Sequence, residues 1–311
     1  MDWDDEVDVV CSGSGVAGLA RAISAVDMGG EVFVASPHGA ARPGPSPLAT
    51  RSRVDSLIPW LDVEVWDAET NEYFAALSAD LGPLRRSTSD VDVPIRSAHQ
   101  LEPVDPRGTV PPFVGARLRD WTARCLASPS GYLYTRVSDW PSETFRAPDG
   151  DTIEVVEIGS MTPDPDDVGG SVVDWLTAQA RDRQIEAQPN CELQRILFEE
   201  GEVVGAVFST PDGPLAIRAW HGVHIAADSL QKDVSARQEF AVGMVPLRIC
   251  LVGRTGSRFG RVELLTSEPL AHGAPTCRPN NRALQAGLGE THTYLQTWRS
   301  RKLNGDPPLG Q

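Results

Sequence analysis

The sequence predicts an α/β fold, and three stretches carry the prediction. The apolar run Asp8-Val9-Val10-Cys11 leads into Gly13-Ser14-Gly15-Val16-Ala17-Gly18 and then into a helical segment, Leu19 to Met28. After Gly29-Gly30 the chain reads as a second strand, Glu31 to Ala35, which completes a β–α–β opening. Far downstream an amphipathic helix, Val172 to Arg183, precedes a run from Glu192 to Phe208 that turns back at Glu200-Gly201. A strand–glycine turn–helix start combined with such a meander predicts a Rossmann-type domain: a parallel sheet plus a β-meander, with a reduced, irregular second region.

Each glycine of the opening turn has a physical task. Gly13 allows the tight turn, Gly15 lets backbone approach a pyrophosphate, and Gly18 lets the helix pack closely on the strand. The following helix would aim its positive N-terminal end at the phosphates. The plainer alternative is a tight turn in an ordinary α/β domain. An acidic residue is expected after the second strand to grip ribose hydroxyls, but this chain has Ser36-Pro37-His38. Serine offers a hydroxyl only a neutral, single-point contact.

Pro37 to Thr50 is rich in Pro, Gly, Ala and Ser and reads as a loop. Asp67 to Leu81 reads as a helix with Tyr73, Phe74, Leu77 and Leu81 on one face, stopped by Gly82-Pro83. Between 84 and 170 the pattern is irregular. Its densest parts, Pro112 to Trp121 and Ser130 to Trp140, interleave arginines with aromatics. That mixture suits either a pocket for an anionic or flat ligand, or alternating strand faces with arginine stems laid over rings, and packing is the commoner use. Asp164-Pro165-Asp166-Asp167 fits no calcium loop and reads as a solvated turn before the helix at 172, for which Ser171 is the expected cap.

Beyond the hairpin at Glu200-Gly201, strands are expected at 215–219 and 222–227. Leu247 to Thr266 is a further hairpin whose arginines, Arg248, Arg254, Arg258 and Arg261, read as its solvated side. His221 and His224, three apart on a strand, face opposite ways and share no metal; the chain shows no metal-ligand spacing.

Composition narrows the class. The chain has 311 residues, enough for one large domain or two modest ones, and a net charge of −15 that disfavours nucleic acid and anionic membrane. No apolar run approaches a membrane span, and the acidic start is the reverse of a signal peptide, so a cytoplasmic protein is expected. Cys11, Cys125, Cys191, Cys250 and Cys277 are scattered and odd in number, which fits reduced thiols rather than disulfides. Cys11 reads as a small core residue beside the loop.

The helix, the hairpin reading E-G-x-V-V-G-A-V, the D-G…I-R-A strand and the final G-V-x-I-A strand resemble the FAD domain of the succinate dehydrogenase/fumarate reductase flavoprotein family, which includes the 3-ketosteroid 1-dehydrogenases. The glycine fingerprint at 7–36 is similar to the start of that family. The resemblance covers residues 7–36 and 171–228. It implies FAD as cofactor, held by Gly13, Ser14, Gly15, Val16, Ala17, Gly18, Ser36 and Ala227. It also implies hydride transfer at a carbon next to a carbonyl, on a steroid-like or dicarboxylate-like substrate. By residue type, Tyr132, Tyr134 and Arg136 are the catalytic candidates.

The chain departs from that family at Ala226-Ala227-Asp228-Ser229, where relatives read A-T-G-G. Only about 80 residues follow Ser229, with a faint likeness to the flavin return segment from Asn280 to Trp298. The expected division is 1–83 and 171–229 for the two parts of the dinucleotide domain, 84–170 for a substrate- or partner-facing region, and 230–311 for a C-terminal hairpin and helix without the family's cap. Three functions follow. The first is an FAD-dependent oxidoreductase. The second is a degenerate, non-catalytic subunit of a homo- or hetero-oligomer whose partner chain supplies the cap. The third is a nicotinamide-dependent reductase, since Ser36 with Arg42 suits a 2′-phosphate.

Overall fold

The computed structural model describes residues 2–37, 67–79, 81, 93–101, 115–136, 141–148, 150–226 and 245–268. The opening unit forms as its pattern predicts: strand β1 (Asp5–Ser12), helix α1 (Val16–Asp27) and strand β2 (Val32–Ala35). Helix α2 (Ala68–Ser78) is capped by Asp67, whose carboxylate accepts the Thr70 N–H at 2.9 Å. Short strands β3 (Ile95–Ser97) and β4 (His99–Gln100) precede helix α3 (Gly115–Ala127). Strands β5 (Gly131–Tyr134), β6 (Glu143–Arg146) and β7 (Thr152–Met161) lead to helix α4 (Val168–Asp182) and the two-residue β8 (Ala187–Gln188). The meander is β9 (Glu192–Glu199), β10 (Glu202–Thr210) and β11 (Gly213–Ala226), and the last hairpin is β12 (Leu247–Gly253) with β13 (Phe259–Thr266).

These strands form one sheet, in the order β4-β6-β7-β12-β13-β5-β11-β1-β2-β8, with β10 and then β9 branching from β11 and β3 pairing with β13. The run β8-β2-β1-β11 is parallel, while β5 and the strands beyond it pair antiparallel along that order. The fold is therefore α/β, with a Rossmann-type parallel half and a meander, as the sequence predicts. One sheet face packs on α1 and α4 through Val16, Ala20, Ile23, Val172 and Leu176. Trp121 and Cys125 of α3 and Phe74 of α2 belong to a second buried cluster, which also holds Phe208 of the meander. Among the described residues, no helix is long and apolar enough to cross a membrane.

Four local expectations are corrected. Helix α4 begins at Val168, four residues ahead of the reading, and its cap is Asp167, which accepts the Gly170 N–H at 2.9 Å. Ser171 lies inside the first turn and donates back to the Asp167 carbonyl instead. The two expected strands are, over the described residues to Ala226, one strand, β11, because an extra residue is absorbed as a bulge where Val7 pairs with Ala219 but Val9 pairs with Gly222. The stretch from 115 is a helix, since Trp121, Cys125 and Leu126 share a buried side while arginines take the other.

The fourth concerns two arginines of the last hairpin. Arg254 and Arg261 are buried, not solvated. Arg261 Nε donates to Glu263 Oε1 at 2.6 Å, and Arg96 Nε pairs with Glu263 Oε2 at 2.7 Å. The fully buried Glu263 is pushed up by desolvation, but Arg261 and Arg96 outweigh this and hold it below the usual carboxylate range. The Arg254, Arg261 and Arg124 guanidiniums surround the Trp121 ring at 5.4–5.6 Å, and Trp121 Nε1 donates to the Phe259 carbonyl at 2.8 Å. Here the interleaved arginines and aromatics serve packing. Glu263→Gln leaves Arg96 and Arg261 without their counter-charge. Urea unfolding at pH 7 is expected to show a loss of about 3–5 kcal/mol, and a loss below ~0.5 kcal/mol would show that the carboxylate does not neutralise them.

Candidate functional site

The glycine turn is built around one steric fact: a Cβ on Gly18 would collide with the carbonyl oxygen of Gly13. Gly13 itself has φ +105°, a conformation that side chains resist, and its N–H donates to the Ala35 carbonyl at 3.0 Å, tying the turn to β2. Gly15 is the N-cap of α1, in extended conformation and without a side-chain cap, and the first turn carries no acid. The amides of Val16, Ala17 and Gly18 are therefore left for another acceptor, at the positive end of the helix. Gly13 and Gly15 to Gly18 are buried, and Ser14 is half-buried.

Ser36 follows β2 next to this turn. The Ser14 hydroxyl donates to the Ser36 hydroxyl at 3.0 Å. The Ser36 backbone is held on both sides, its N–H by the Gln188 carbonyl and its carbonyl by the Cys191 N–H, each at 2.9 Å. Ala227, Asp228, Ser229, Arg42 and the segments 38–50 and 280–298 lie outside the described residues.

Tyr132, Tyr134 and Arg136 come together in a cleft of roughly 470 Å³, part of it open to solvent, on the face that α1 covers. Tyr132 and Tyr134 alternate out of β5 on the same side, and Arg136 leaves just beyond its end. Arg21 of α1, Glu154 of β7, and Arg254 and Arg258 from the turn between β12 and β13 complete the polar lining. The register places this cleft relative to the glycine turn. Tyr134 pairs with His224, which pairs with Cys11, whereas Arg136 touches the position of Gly222, the partner of Val9. Arg136 thus sits four residues back from Gly13 along β1, roughly 13 Å at about 3.3 Å per residue.

The walls are specific. The Arg21 guanidinium lies 4.2 Å from the centre of the Tyr134 ring. The Tyr134 hydroxyl donates to the His221 carbonyl. Arg258 donates to the Tyr73 hydroxyl at 3.1 Å, and Arg254 is paired with Asp151. Burial pushes the Tyr132 hydroxyl well above its ordinary value, so it stays protonated at neutral pH.

The fold gives His224 a distinctive setting. It is 1% exposed, packed 4.6 Å from the Tyr132 ring, and neither ring nitrogen has a hydrogen-bond partner among the described residues. Desolvation, helped by Arg21, holds it well below the usual histidine value, so it is neutral. Its strand partner Cys11 is buried too, its thiol pushed up to about 12. His221 is exposed instead, 3.6 Å from Asp8. Nothing in a single sequence distinguishes these histidines beyond their opposite strand parity.

No protein family and no curated protein matches the chain. Among solved structures it is similar to a 3-ketosteroid-Δ4-(5α)-dehydrogenase from Rhodococcus jostii RHA1 in complex with 4-androstene-3,17-dione. The identity is 21% over 72% of this chain and 46% of that one, with a TM-score of 0.28. It is also similar to a flavocytochrome c3 fumarate reductase (16% identity, 70% and 33% covered, TM-score 0.27). A third is a geranylgeranyl bacteriochlorophyll reductase-like protein from Thermoplasma acidophilum (13%, 83% and 56%, TM-score 0.28). The chain spans 46% and 33% of the first two of these proteins. The architecture described above rests on its own strand order and register.

A buried neutral histidine makes stability depend on pH. In the unfolded chain His224 takes up a proton near its ordinary value of 6.5, while in the fold it does so only well below that. Its share of stability is therefore fully present above pH 6.5 and is lost as pH falls. The melting temperature of the native chain should drop between pH 7 and 5 more steeply than that of His224→Phe, which keeps the ring against Tyr132. Parallel slopes for the two proteins would contradict this.

Proposed function

We propose that this chain is an FAD-dependent oxidoreductase. The observation that supports the reading most directly is the buried turn of Gly13, Gly15 and Gly18, with its uncapped helix start on a parallel β8-β2-β1-β11 sheet. The space beside Gly18 admits no side chain, and the amides of Val16, Ala17 and Gly18 have the donor chemistry a pyrophosphate needs. The phosphate half of the site fits the cofactor. The ribose half offers Ser36, whose hydroxyl is shared with Ser14, in place of a carboxylate.

When bound, the flavin supplies two-electron hydride chemistry at a carbon next to a carbonyl. The protein's part falls to the cleft. Arg136 binds and orients the polar end of the substrate, and Tyr132 presents a hydroxyl that remains a proton donor at neutral pH. Tyr134, fixed by the His221 carbonyl, and Arg21 set the wall against which a flat substrate lies. The arginines favour a substrate with a carboxylate over a neutral steroid.

A second reading is supported by the Ser14–Ser36 hydrogen bond, which occupies the place of the ribose contact within the protein itself. In it the chain is a non-catalytic subunit whose partner, in a homo- or hetero-oligomer, covers the site. Full-length protein titrated with FAD separates the two. The first reading expects a visible flavin band at about one FAD per chain, with binding weakened at least ~10-fold in Gly18→Ala, where overpacking costs about 1–3 kcal/mol. Protein that stays colourless and gains no band overturns it, and recovery of a stoichiometric flavoenzyme alongside the colourless chain selects the second.

A further inference from the structure

We propose that the cleft on the α1 face is a binding site for a planar anion, with Arg136 and Arg258 as the residues that recognise its charged group. The inference deepens the reading of this cleft as the substrate site, and it names the class of compound: an aromatic ring or similar flat frame bearing a carboxylate or comparable anionic group.

The first argument is charge. The chain carries a net −15, yet this one concavity gathers the guanidiniums of Arg21, Arg136, Arg254 and Arg258 against a single lining carboxylate, Glu154. Glu154 already accepts from the Thr255 hydroxyl at 2.6 Å, and Arg254 is paired with Asp151. Among the described residues neither Arg136 nor Arg258 has a carboxylate partner, although acidic residues outnumber basic ones by 43 to 28 across the chain. Arg258 makes its hydrogen bond to the neutral Tyr73 hydroxyl.

The second argument is desolvation. The Nε of Arg136 is buried with no hydrogen-bond partner. Its stem lies against the backbone kink at Gly222, where φ is +116° and a Cβ would come within 3.2 Å of Arg136 Cγ. A buried guanidinium nitrogen without an acceptor is costly, and an anion in the cleft offers it a charge-assisted hydrogen bond. A neutral, apolar ligand would leave that cost in place and desolvate the other guanidiniums as well.

The third argument is shape. Tyr132, Tyr134 and Phe259 line the cleft, which opens to solvent on one side. Flat aromatic walls with cations at the rim hold a flat frame by its faces and its charge by the arginines.

The test is calorimetric titration of the full-length protein with naphthalene-2-carboxylate, with the neutral naphthalene-2-carboxamide and inorganic phosphate as comparison ligands. One saturable site is expected for the carboxylate. Affinity should fall roughly 10- to 100-fold for the carboxamide, for Arg136→Gln and for Arg258→Gln, with Arg136→Lys in between. Arg181→Gln, at an exposed arginine of α4 outside the cleft, should bind the carboxylate as the native chain does. Equal binding of carboxylate and carboxamide, unchanged affinity in both cleft glutamine variants, or no saturation overturns the proposal. So does a loss of carboxylate affinity in Arg181→Gln as large as in the cleft variants, or inorganic phosphate binding the cleft as tightly as the carboxylate. The FAD titration reads absorbance and this one reads heat with a different ligand. Loss of the flavin reading with the anion site intact, or the reverse, is therefore recognised directly.

Discussion

Everything in this sheet depends on the change of partner along β11. Its first half is flanked by β1 and β10 and its second half by β1 and β5, so one 14-residue strand belongs to both the meander and the antiparallel half. The exchange happens across the bulge at Trp220 and His221, where Gly222 takes a positive φ. Thr135 secures the new partner in two ways: its hydroxyl accepts the Val223 N–H and its own N–H donates to the Val223 carbonyl, both at 2.9 Å. A side chain at 222 would meet Thr135, Tyr134 and the stem of Arg136 together. The residues that anchor the exchange are thus neighbours of those that line the cleft.

That geometry explains why polar groups accumulate under α1. Once β5 is seated beside β11, Tyr132 and Tyr134 face the same side as His224 and Cys11, beneath Arg21. The pairing of β5 with β13 then brings Arg258 and Arg254 to the same mouth. A second polar cluster lies deeper in the same half, where Glu263 pairs with both Arg96 and Arg261 and Trp121 fills the space among the guanidiniums. One cluster is saturated by its own carboxylate and the other retains guanidiniums without one, although both draw on the same few strands.

How far the fold could be read from sequence follows from the range of the interactions involved. The turn at Gly13 to Gly18 was legible because its steric demand falls on residues five apart, and the hairpin at Glu200-Gly201 because its signal is local. Helix α4 was legible in body but not at its start, since Asp167 and Ser171 are both good caps and only the backbone decides between them. The burial of Arg254 and Arg261 was not legible: Asp151 reaches Arg254 from 103 residues away, and Glu263, although only two residues from Arg261 on β13, gives the same local pattern on a solvated strand face as on a buried one. Tyr132, Tyr134 and Arg136 were chosen by type, and their meeting with Arg21 and Arg258 depends on contacts more than a hundred residues apart in the chain.

The two ends of the strand order have a consequence for how the chain behaves in company. Along its main order the described sheet finishes on one side with His99-Gln100 and on the other with Ala187-Gln188, each strand two residues long and exposed, while the branch that ends in β9 has its Ile196 N–H taken by the Thr70 hydroxyl of α2 at 2.9 Å. So short a ladder presents too few unpaired amides and carbonyls to template another strand, which is how natural sheets resist edge-to-edge aggregation. A sheet this wide would otherwise be a hazard to its own solubility; here the longest strands, β11 and β7, are kept inside the order, each with partner strands on both sides.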